Sequence, residues 1–229
     1  KMNNEKENID KIVITASGGP FRTFPRERLA TVTVADALKH PTWDMGVKIT
    51  IDSASLANKG LEVIEAVRLF DVKASQVQVV VHPQSVIHSL VRTKDGIVYG
   101  QFSEPDMKHP ILQALDWPEI LPSFMKPFDL TDTADGSRTL TFEKPRTSDF
   151  PMLALAFECA EKSGSYPIAF NAANEVAVQA FIDGKIGFLE IAEKVEKVLH
   201  GTDWSENPRD LSDVLEADKR AREKIQNNL

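Results

Sequence analysis

The sequence is poor in cysteine and in long apolar runs. Its 229 residues include a single cysteine, Cys159, so no disulfide can form within the chain. One cysteine in an apolar helical context predicts a buried structural thiol, and the absence of disulfides fits a reducing compartment. No apolar run reaches the roughly 18 residues of a membrane-spanning helix, and no signal peptide is recognisable. We therefore expect neither a disulfide scaffold nor a membrane partner.

The chain also lacks an excess of positive charge and the common nucleotide-binding motifs. Asp and Glu number 34 against 27 Lys and Arg, which gives a formal net charge of −7. General nucleic-acid binding needs clustered basic residues, so no nucleic-acid partner is expected. Neither a G-x-G-x-x-G stretch nor a P-loop lysine is present. A local basic pocket for a small anion remains compatible with this composition.

Hydrophobic residues make up 42% of the chain, enough for a sizeable core, and their spacing predicts the elements of the first half. Thr33 and Asp36 form a predicted capping box for a short helix over 34–39. Alternation at Val47, Ile49 and Ile51 predicts a strand. The predicted order is a strand at 11–15, a turn at 17–20, the helix at 34–39, a strand at 47–51, a loop at 52–60, a helix at 61–70, a strand at 77–81 and a hairpin turning at Asp95-Gly96.

The residue composition changes near Trp117. Four prolines and scattered polar residues predict a linker over 117–147. Four helical patterns follow, at 151–162, 171–183, 188–199 and 211–226. Gly164, Gly184 and Gly201 stand just beyond the first three patterns, where helix C-termini favour glycine. We interpret residues 148–229 as a four-helix bundle.

One stretch, IDSASLANKGLE (51–62), is crowded with polar groups. Ser53 and Asn58 can donate hydrogen bonds, Lys59 brings a positive charge, and Gly60 allows close approach of the backbone. At the start of a helix these groups favour an anion such as phosphate. Glu62 would repel a phosphate unless a cation lies between them, so the stretch indicates phosphate beside a divalent metal. A capped helix start with a solvated loop explains the same spacing equally well.

Two further stretches are compatible with a site. Ser17 with the two glycines that follow can form a small anion nest after a strand, although a purely structural turn explains them too. His40 and Trp43 lie in HPTWDMG, which resembles a flap that closes over a substrate. The alternative is a surface turn whose tryptophan is anchored in the core.

Other polar residues are better explained by structure than by chemistry. His82 and His88 are six residues apart with Pro83 between them, which is not a metal-ligand spacing, so structural hydrogen bonds are expected for both. Asn171, Asn174 and Glu175 in FNAANEVA are interpreted as a helix start with polar packing.

Six strings occur together and in one order: SGGPFR, HPTWDMG, IDSASLANKGLEVIEA, HPQSVIHS, GQFSEPDM and FNAANEVAV. They extend over most of the chain and resemble the 1-deoxy-D-xylulose 5-phosphate reductoisomerase family. The resemblance implies an α+β catalytic domain with a mixed, mostly antiparallel sheet (1–116), the linker (117–147) and the C-terminal four-helix bundle (148–229). It also implies that the family's N-terminal NADPH-binding domain is absent, and with it an acidic motif that supplies further metal ligands. This chain alone is therefore expected not to turn over substrate.

The resemblance further implies the activity and its site. The family converts 1-deoxy-D-xylulose 5-phosphate to 2-C-methyl-D-erythritol 4-phosphate, in the non-mevalonate route to isoprenoids, with NADPH and Mg, Mn or Co. The implied catalytic residues are Glu62, His40 and Lys59, and Glu62 is also the implied metal ligand. Substrate contacts are implied for Ser17, His40, Trp43, Ser53, Asn58, Lys59 and Glu62, cofactor contacts for Gly46 and Met107, and a less defined place in the site for His88.

A homodimer is also implied, in the bacterial cytoplasm or, alternatively, in a plastid. Two competing hypotheses stay open at this point. A non-catalytic phosphate-sugar binding module would bind phosphate esters without regard to metal. A structural fragment that serves assembly would show no ligand response when Lys59 is replaced with alanine.

Overall fold

The computed structural model describes residues 6–133 and 136–229. The first five residues and residues 134 and 135 of the predicted linker lie outside them. The strands are β1 (Ile9–Ala16), β2 (Val77–Val81), β3 (Ile87–Thr93) and β4 (Val98–Phe102). The helices are α1 (Arg26–Leu29), α2 (Val34–Ala37), α3 (Val47–Ser55), α4 (Ala57–Phe70), α5 (Lys108–Asp116), α6 (Met152–Lys162), α7 (Tyr166–Ile182), α8 (Phe188–His200) and α9 (Leu211–Gln226). Short 3₁₀ turns occupy Lys6–Asn8 and Ala74–Gln76.

The four strands form one mixed sheet in the order β2-β1-β3-β4. β1 pairs in parallel with β2, whereas the β1–β3 and β3–β4 pairs are antiparallel. The predicted hairpin is confirmed, and its turn is closed by the backbone N–H of Ile97, which donates to Asp95 Oδ1 at 3.2 Å. The α+β class with a mixed, mostly antiparallel sheet is therefore confirmed.

The prediction of a strand at 47–51 and a loop at 52–60 is wrong. Residues 47–55 form α3, and α4 follows almost at once because the chain breaks only at Leu56, whose φ of 63° is left-handed. The alternation of apolar and polar residues over 47–51 led to a wrong strand prediction because α3 buries polar side chains. Thr50 is satisfied by its own helix, its Oγ1 donating to the Gly46 carbonyl at 2.8 Å, and Asp52 is satisfied by groups described below.

Most of the other predicted helices are present in the structure. The capping box of α2 is confirmed: the backbone N–H of Asp36 donates to Thr33 Oγ1 and that of Thr33 donates to Asp36 Oδ2, both at 3.2 Å. α6, α8 and α9 follow the predicted bounds closely. α7 begins at Tyr166, five residues before the predicted start, since Pro167 is tolerated in a first helical turn. The pattern analysis missed α1 and α5.

One continuous hydrophobic core joins the sheet, the site-proximal helices and the C-terminal helices. α6 packs on α4 at Gly60, where an added Cβ would lie 2.5 Å from the Cβ of Ala156. Cys159 is buried as predicted, and burial raises the pKa of its thiol to about 12. α7 in turn packs against α8 and α9. The C-terminal helices therefore support α4 from behind.

The predicted linker is tied to the sheet near its end. Val81 and Glu143 form an isolated antiparallel bridge, with N–H to carbonyl distances of 2.9 Å in both directions. The fully buried His82 places Nδ1 3.0 Å from the carbonyl oxygen of Thr141, and its ring stacks on Phe142. These contacts confirm the structural role predicted for His82.

Candidate active site

A cavity of about 490 Å³ opens where β1, the 40–45 loop, α3, α4 and the β3–β4 hairpin converge. Every predicted site residue except Gly46 lines it: Ser17, His40, Trp43, Ser53, Asn58, Lys59, Glu62, His88 and Met107. Gly46 is exposed and lies at the N-cap of α3. The lining also includes Met45, Ser85, Ser103 and Asp106, which the sequence analysis did not single out. All four lie within strings that carried the family resemblance, so that signal could have found them.

Ser17 sits directly after β1, where the chain turns through two glycines with positive φ. The backbone N–H of Gly19 donates to Ser17 Oγ at 3.2 Å. Gly19 packs so tightly on α3 that an added Cβ would lie 2.7 Å from the carbonyl oxygen of Ser53. The turn therefore brings Ser17 and Ser53 together on one wall of the cavity.

His40 fastens the 40–45 loop to this turn. Its Nδ1 accepts hydrogen bonds from the backbone N–H groups of Thr42, at 3.2 Å, and Trp43, at 2.9 Å. A ring nitrogen that accepts carries no proton, so the neutral ring bears its proton on Nε2, which lies 2.9 Å from Ser17 Oγ and donates to it. Burial lowers the pKa of His40, which favours this neutral form.

The hydroxyl of Ser17 is consequently oriented. Its oxygen accepts from both Gly19 and His40. A serine hydroxyl accepts two hydrogen bonds and donates one, so the remaining capacity of Ser17 is its O–H donor. A donor at this point of the cavity suits an anionic ligand.

Asn58, Lys59 and Glu62 form a polar cluster on the first turns of α4. The side-chain amide of Asn58 donates to Glu62 Oε1 at 2.9 Å, and Lys59 Nζ donates to Glu62 Oε2 at 2.7 Å. The Lys59 side chain is only 14% exposed. An anion is favoured here by the positive end of the helix, by the largely buried ammonium group of Lys59 and by the amide of Asn58. Glu62 adds one carboxylate to the same wall.

Trp43, His88 and Met107 line other walls of the cavity. The indole of Trp43 packs edge-on to the ring of His88, with centroids 6.3 Å apart. His88 places Nε2 3.0 Å from the carbonyl oxygen of Ser103, which is the structural hydrogen bond expected from sequence. Met107 precedes α5 and is largely exposed. Trp43 and Met107 therefore give the cavity an apolar side opposite the polar cluster on α4.

Within the described part of the chain, no three or more His, Cys, Asp or Glu side chains cluster as a metal site. Glu62 offers one carboxylate, whereas a hard divalent cation such as Mg²⁺ takes about six oxygen ligands. None of the helices in the described ranges combines the length and the apolar character needed to cross a membrane.

Comparison with known families gives two matches on this chain. The model described as the 1-deoxy-D-xylulose 5-phosphate reductoisomerase C-terminal domain matches residues 1–70. The model described as the DXP reductoisomerase C-terminal domain matches residues 102–224. The chain belongs to the 1-deoxy-D-xylulose 5-phosphate reductoisomerase family. The resemblance drawn from the six strings is thereby confirmed.

Curated relatives of the reductoisomerase family agree with this assignment. The enzyme of Treponema denticola is 56% identical over 219 residues, which cover 96% of this chain and 56% of the relative. That of Chlorobaculum tepidum is 52% identical over 223 residues, 97% of this chain and 57% of the relative. The chain thus spans little more than half the length of these bacterial relatives.

Solved reductoisomerase structures share the fold. The Zymomonas mobilis enzyme in complex with NADPH superposes with a TM-score of 0.91 at 42% identity, covering all of this chain and 57% of that one. A reductoisomerase in complex with NADPH, fosmidomycin and magnesium gives a TM-score of 0.86 at 41% identity, covering 96% and 56%.

Proposed function

We propose that the full-length parent protein, the natural polypeptide containing this sequence, converts 1-deoxy-D-xylulose 5-phosphate to 2-C-methyl-D-erythritol 4-phosphate with NADPH and a divalent metal. The observation that carries the proposal is the convergence of Ser17, Ser53, Asn58, Lys59 and Glu62 in one cavity. Family membership adds the reaction, since the relatives are named as reductoisomerases.

The role of this chain is to hold the phosphate end of the substrate. The Ser17 hydroxyl, whose oxygen already accepts from Gly19, would donate to the phosphate from one wall. Asn58 and Lys59, which donate to Glu62 in the structure, would donate to it from the start of α4. Phosphate recognition contributes binding energy remote from the reacting carbons, which orients those carbons. The loop fastened by His40 then covers the ligand and excludes water, with Trp43 as its apolar side chain.

The cofactors supply the chemistry that these side chains lack. A divalent metal polarises oxygens of the ketose, and NADPH provides the hydride. Glu62 fits the metal as one hard oxygen ligand, and the described residues offer no cluster of three or more His, Cys, Asp or Glu side chains that would complete its coordination. Gly46 and Met107 would contact NADPH. We therefore expect activity only of the full-length protein.

The deciding experiment is an NADPH-oxidation assay of the full-length parent with 1-deoxy-D-xylulose 5-phosphate, with and without Mn or Mg. The expected result is turnover that a chelator abolishes. The rival hypothesis, a non-catalytic phosphate-sugar binding module, predicts metal-independent binding of phosphate esters and no NADPH oxidation. A folded, inactive parent with such binding would replace the proposed function with this module.

We predict that substrate binding weakens below about pH 6.5, the ordinary pKa of histidine. Because burial lowers the pKa of His40, the neutral ring and the closed loop are favoured above pH 6.5, and they are lost as the pH falls through the lowered pKa. Protonation of Nδ1 removes the acceptor used by Thr42 and Trp43. KM is therefore expected to rise at acidic pH. The rise should flatten in His40→Gln, and an equally steep rise in that variant would refute the role of His40.

A homodimer in the bacterial cytoplasm completes the proposal. All five residues of β4 are exposed, including Val98, Tyr99 and Phe102, although a sheet normally buries at least one face. Exposed apolar strands of this kind mark association surfaces. A second copy of the chain is the occupant that the family resemblance implies.

Tyr99→Asp is expected to raise the dimer dissociation constant at least about 100-fold, because it places a charge in the apolar interface. Sedimentation equilibrium of the full-length protein measures this. Leu215→Asp, at an exposed leucine on α9, is the matched control and should leave the dimer intact. A Tyr99→Asp protein that remains dimeric would exclude β4 from the interface.

A further inference from the structure

Behind the cavity, the FNAANEVA motif, for which polar packing was predicted, contributes one side of a buried polar contact. Asn174 on α7 is fully buried, and its Nδ2 donates to Asp52 Oδ1 on α3 at 2.8 Å. Asp52 is 1% exposed, and its Oδ2 lies 2.7 Å from Lys48 Nζ. The contact joins two helices whose residues are 122 positions apart in the chain.

The hydrogen-bonding chemistry of this contact fixes the orientation of the Asn174 side-chain amide. A carboxylate only accepts hydrogen bonds, so Asn174 must turn its NH₂ group toward Asp52. Its Oδ1 is then buried with no hydrogen-bond partner among the described residues. A buried amide is usually satisfied on both sides, so the orientation of Asn174 is dictated by Asp52.

Asp52 affects the candidate site because the next residue in the chain is Ser53. Ser53 lines the cavity, and its carbonyl oxygen contacts the Gly19 turn that carries Ser17. The other partner of Asp52, Lys48, belongs to the same helix and is 41% exposed, so it cannot fix α3 against the rest of the molecule. Asn174 is the partner that comes from another element.

We propose that Asn174 is a positioning residue: by holding Asp52 it sets the orientation of α3 and directs Ser53 at the phosphate of the bound ligand. This inference rests on the proposed function for the identity of that ligand. Errors of about 1 Å in the placement of a binding group lower catalytic efficiency on the order of 100-fold. Asn174 itself touches no substrate.

The test compares Asn174→Ala with Asn171→Ala in the full-length protein. Asn171 lies one turn earlier on α7 and bonds only to Glu175 among the contacts described, so it is the matched control. Asn174→Ala is expected to raise KM for 1-deoxy-D-xylulose 5-phosphate and the Kd of glycerol 3-phosphate about 10- to 100-fold. At saturating substrate, kcat should change less than about threefold, because the reacting groups remain in place. Circular dichroism sets a temperature at which every variant is folded.

A swapped pair makes the test independent of the alanine variant. Asn174→Asp alone places two carboxylates together and should bind glycerol 3-phosphate more weakly than Asn174→Ala. The double variant Asn174→Asp with Asp52→Asn again places an amide donor opposite a carboxylate acceptor. Its Kd for glycerol 3-phosphate should return to within about tenfold of wild type. A folded double variant that binds more than about 100-fold more weakly than wild type would overturn the proposal, even if Asn174→Ala does not fold.

The binding measurement separates this inference from the proposed reaction. Equal glycerol 3-phosphate affinity in wild type and folded Asn174→Ala overturns the positioning role, whatever the turnover. A wild-type protein that binds glycerol 3-phosphate without turning over the ketose refutes the proposed reaction and leaves the comparison of variants valid. If wild type turns over the ketose without binding glycerol 3-phosphate, the proposed reaction stands and KM decides: an equal KM in wild type and folded Asn174→Ala overturns the positioning role.

Discussion

Glu62→Gln in the full-length protein is expected to lower kcat/KM for 1-deoxy-D-xylulose 5-phosphate at least about 1,000-fold, equivalent to about 4 kcal/mol of transition-state stabilisation. The amide keeps the shape of the side chain and one oxygen that can accept from Asn58 or Lys59. It removes the negative charge on which the proposed role of Glu62 as a ligand for a hard divalent cation depends. The loss should therefore fall on the metal-dependent step and not on phosphate binding.

Two measurements isolate this effect. The Kd of glycerol 3-phosphate, measured by calorimetry, should stay within about threefold of wild type, since Lys59 and Asn58 are unchanged. Glu161→Gln makes the same charge change on the exposed surface of α6 and should leave kcat/KM unaltered. If kcat/KM in Glu62→Gln stays within about tenfold of wild type, Glu62 does not serve as a metal ligand.

Gly19→Ala is expected to reduce the free energy of unfolding by about 3 kcal/mol. Roughly 1 kcal/mol comes from placing alanine at a left-handed φ of 67°. A further 2 kcal/mol or so comes from overpacking, because the new Cβ would lie 2.7 Å from the carbonyl oxygen of Ser53, a backbone atom that cannot move without α3. Urea unfolding of the full-length protein measures the change.

Gly96→Ala is the matched control for this substitution. Gly96 has a φ of 87° but no neighbour within 4 Å of an added Cβ, so only the conformational cost of about 1 kcal/mol is expected. Gly19→Ala should also weaken glycerol 3-phosphate binding about tenfold, since it separates Ser17 from Ser53. Equal destabilisation by the two substitutions would show that the contact with Ser53 is not tight.

Local patterns predicted the elements whose polar residues face water. The hairpin was predicted from its Asp95-Gly96 turn and α2 from its capping box, while α6 and α8 follow patterns in which apolar residues mark the buried side. In α3 apolar residues do not mark the buried side: some apolar side chains are exposed and some polar ones are buried. Val47 and Ile49 are exposed, while Thr50 and Asp52 are buried on hydrogen bonds to Gly46 and Asn174. No local pattern reveals a partner 122 residues away.

The candidate site was predicted differently. Spacing alone left the 51–62 stretch balanced between an anion site and a solvated loop, and its secondary structure was assigned wrongly. The family resemblance selected site residues from five of the six strings, and all but Gly46 line one cavity. The roles given to Ser17, His40 and Lys59 stay predictions. The tautomer of His40 and the direction of the Ser17 hydroxyl required the hydrogen bonds of the folded chain.

The anchoring of the linker end has a consequence for limited proteolysis. Residues 117–130 carry strongly exposed side chains such as Ile120 and Phe124, whereas the bridge between Val81 and Glu143 and the His82–Thr141 contact secure the chain beyond them. A nick between 118 and 130 would sever the polypeptide yet leave α6 seated on α4. The two pieces should co-elute as one particle and separate only on a denaturing gel, so this family member is suited to reconstitution from two separately produced fragments.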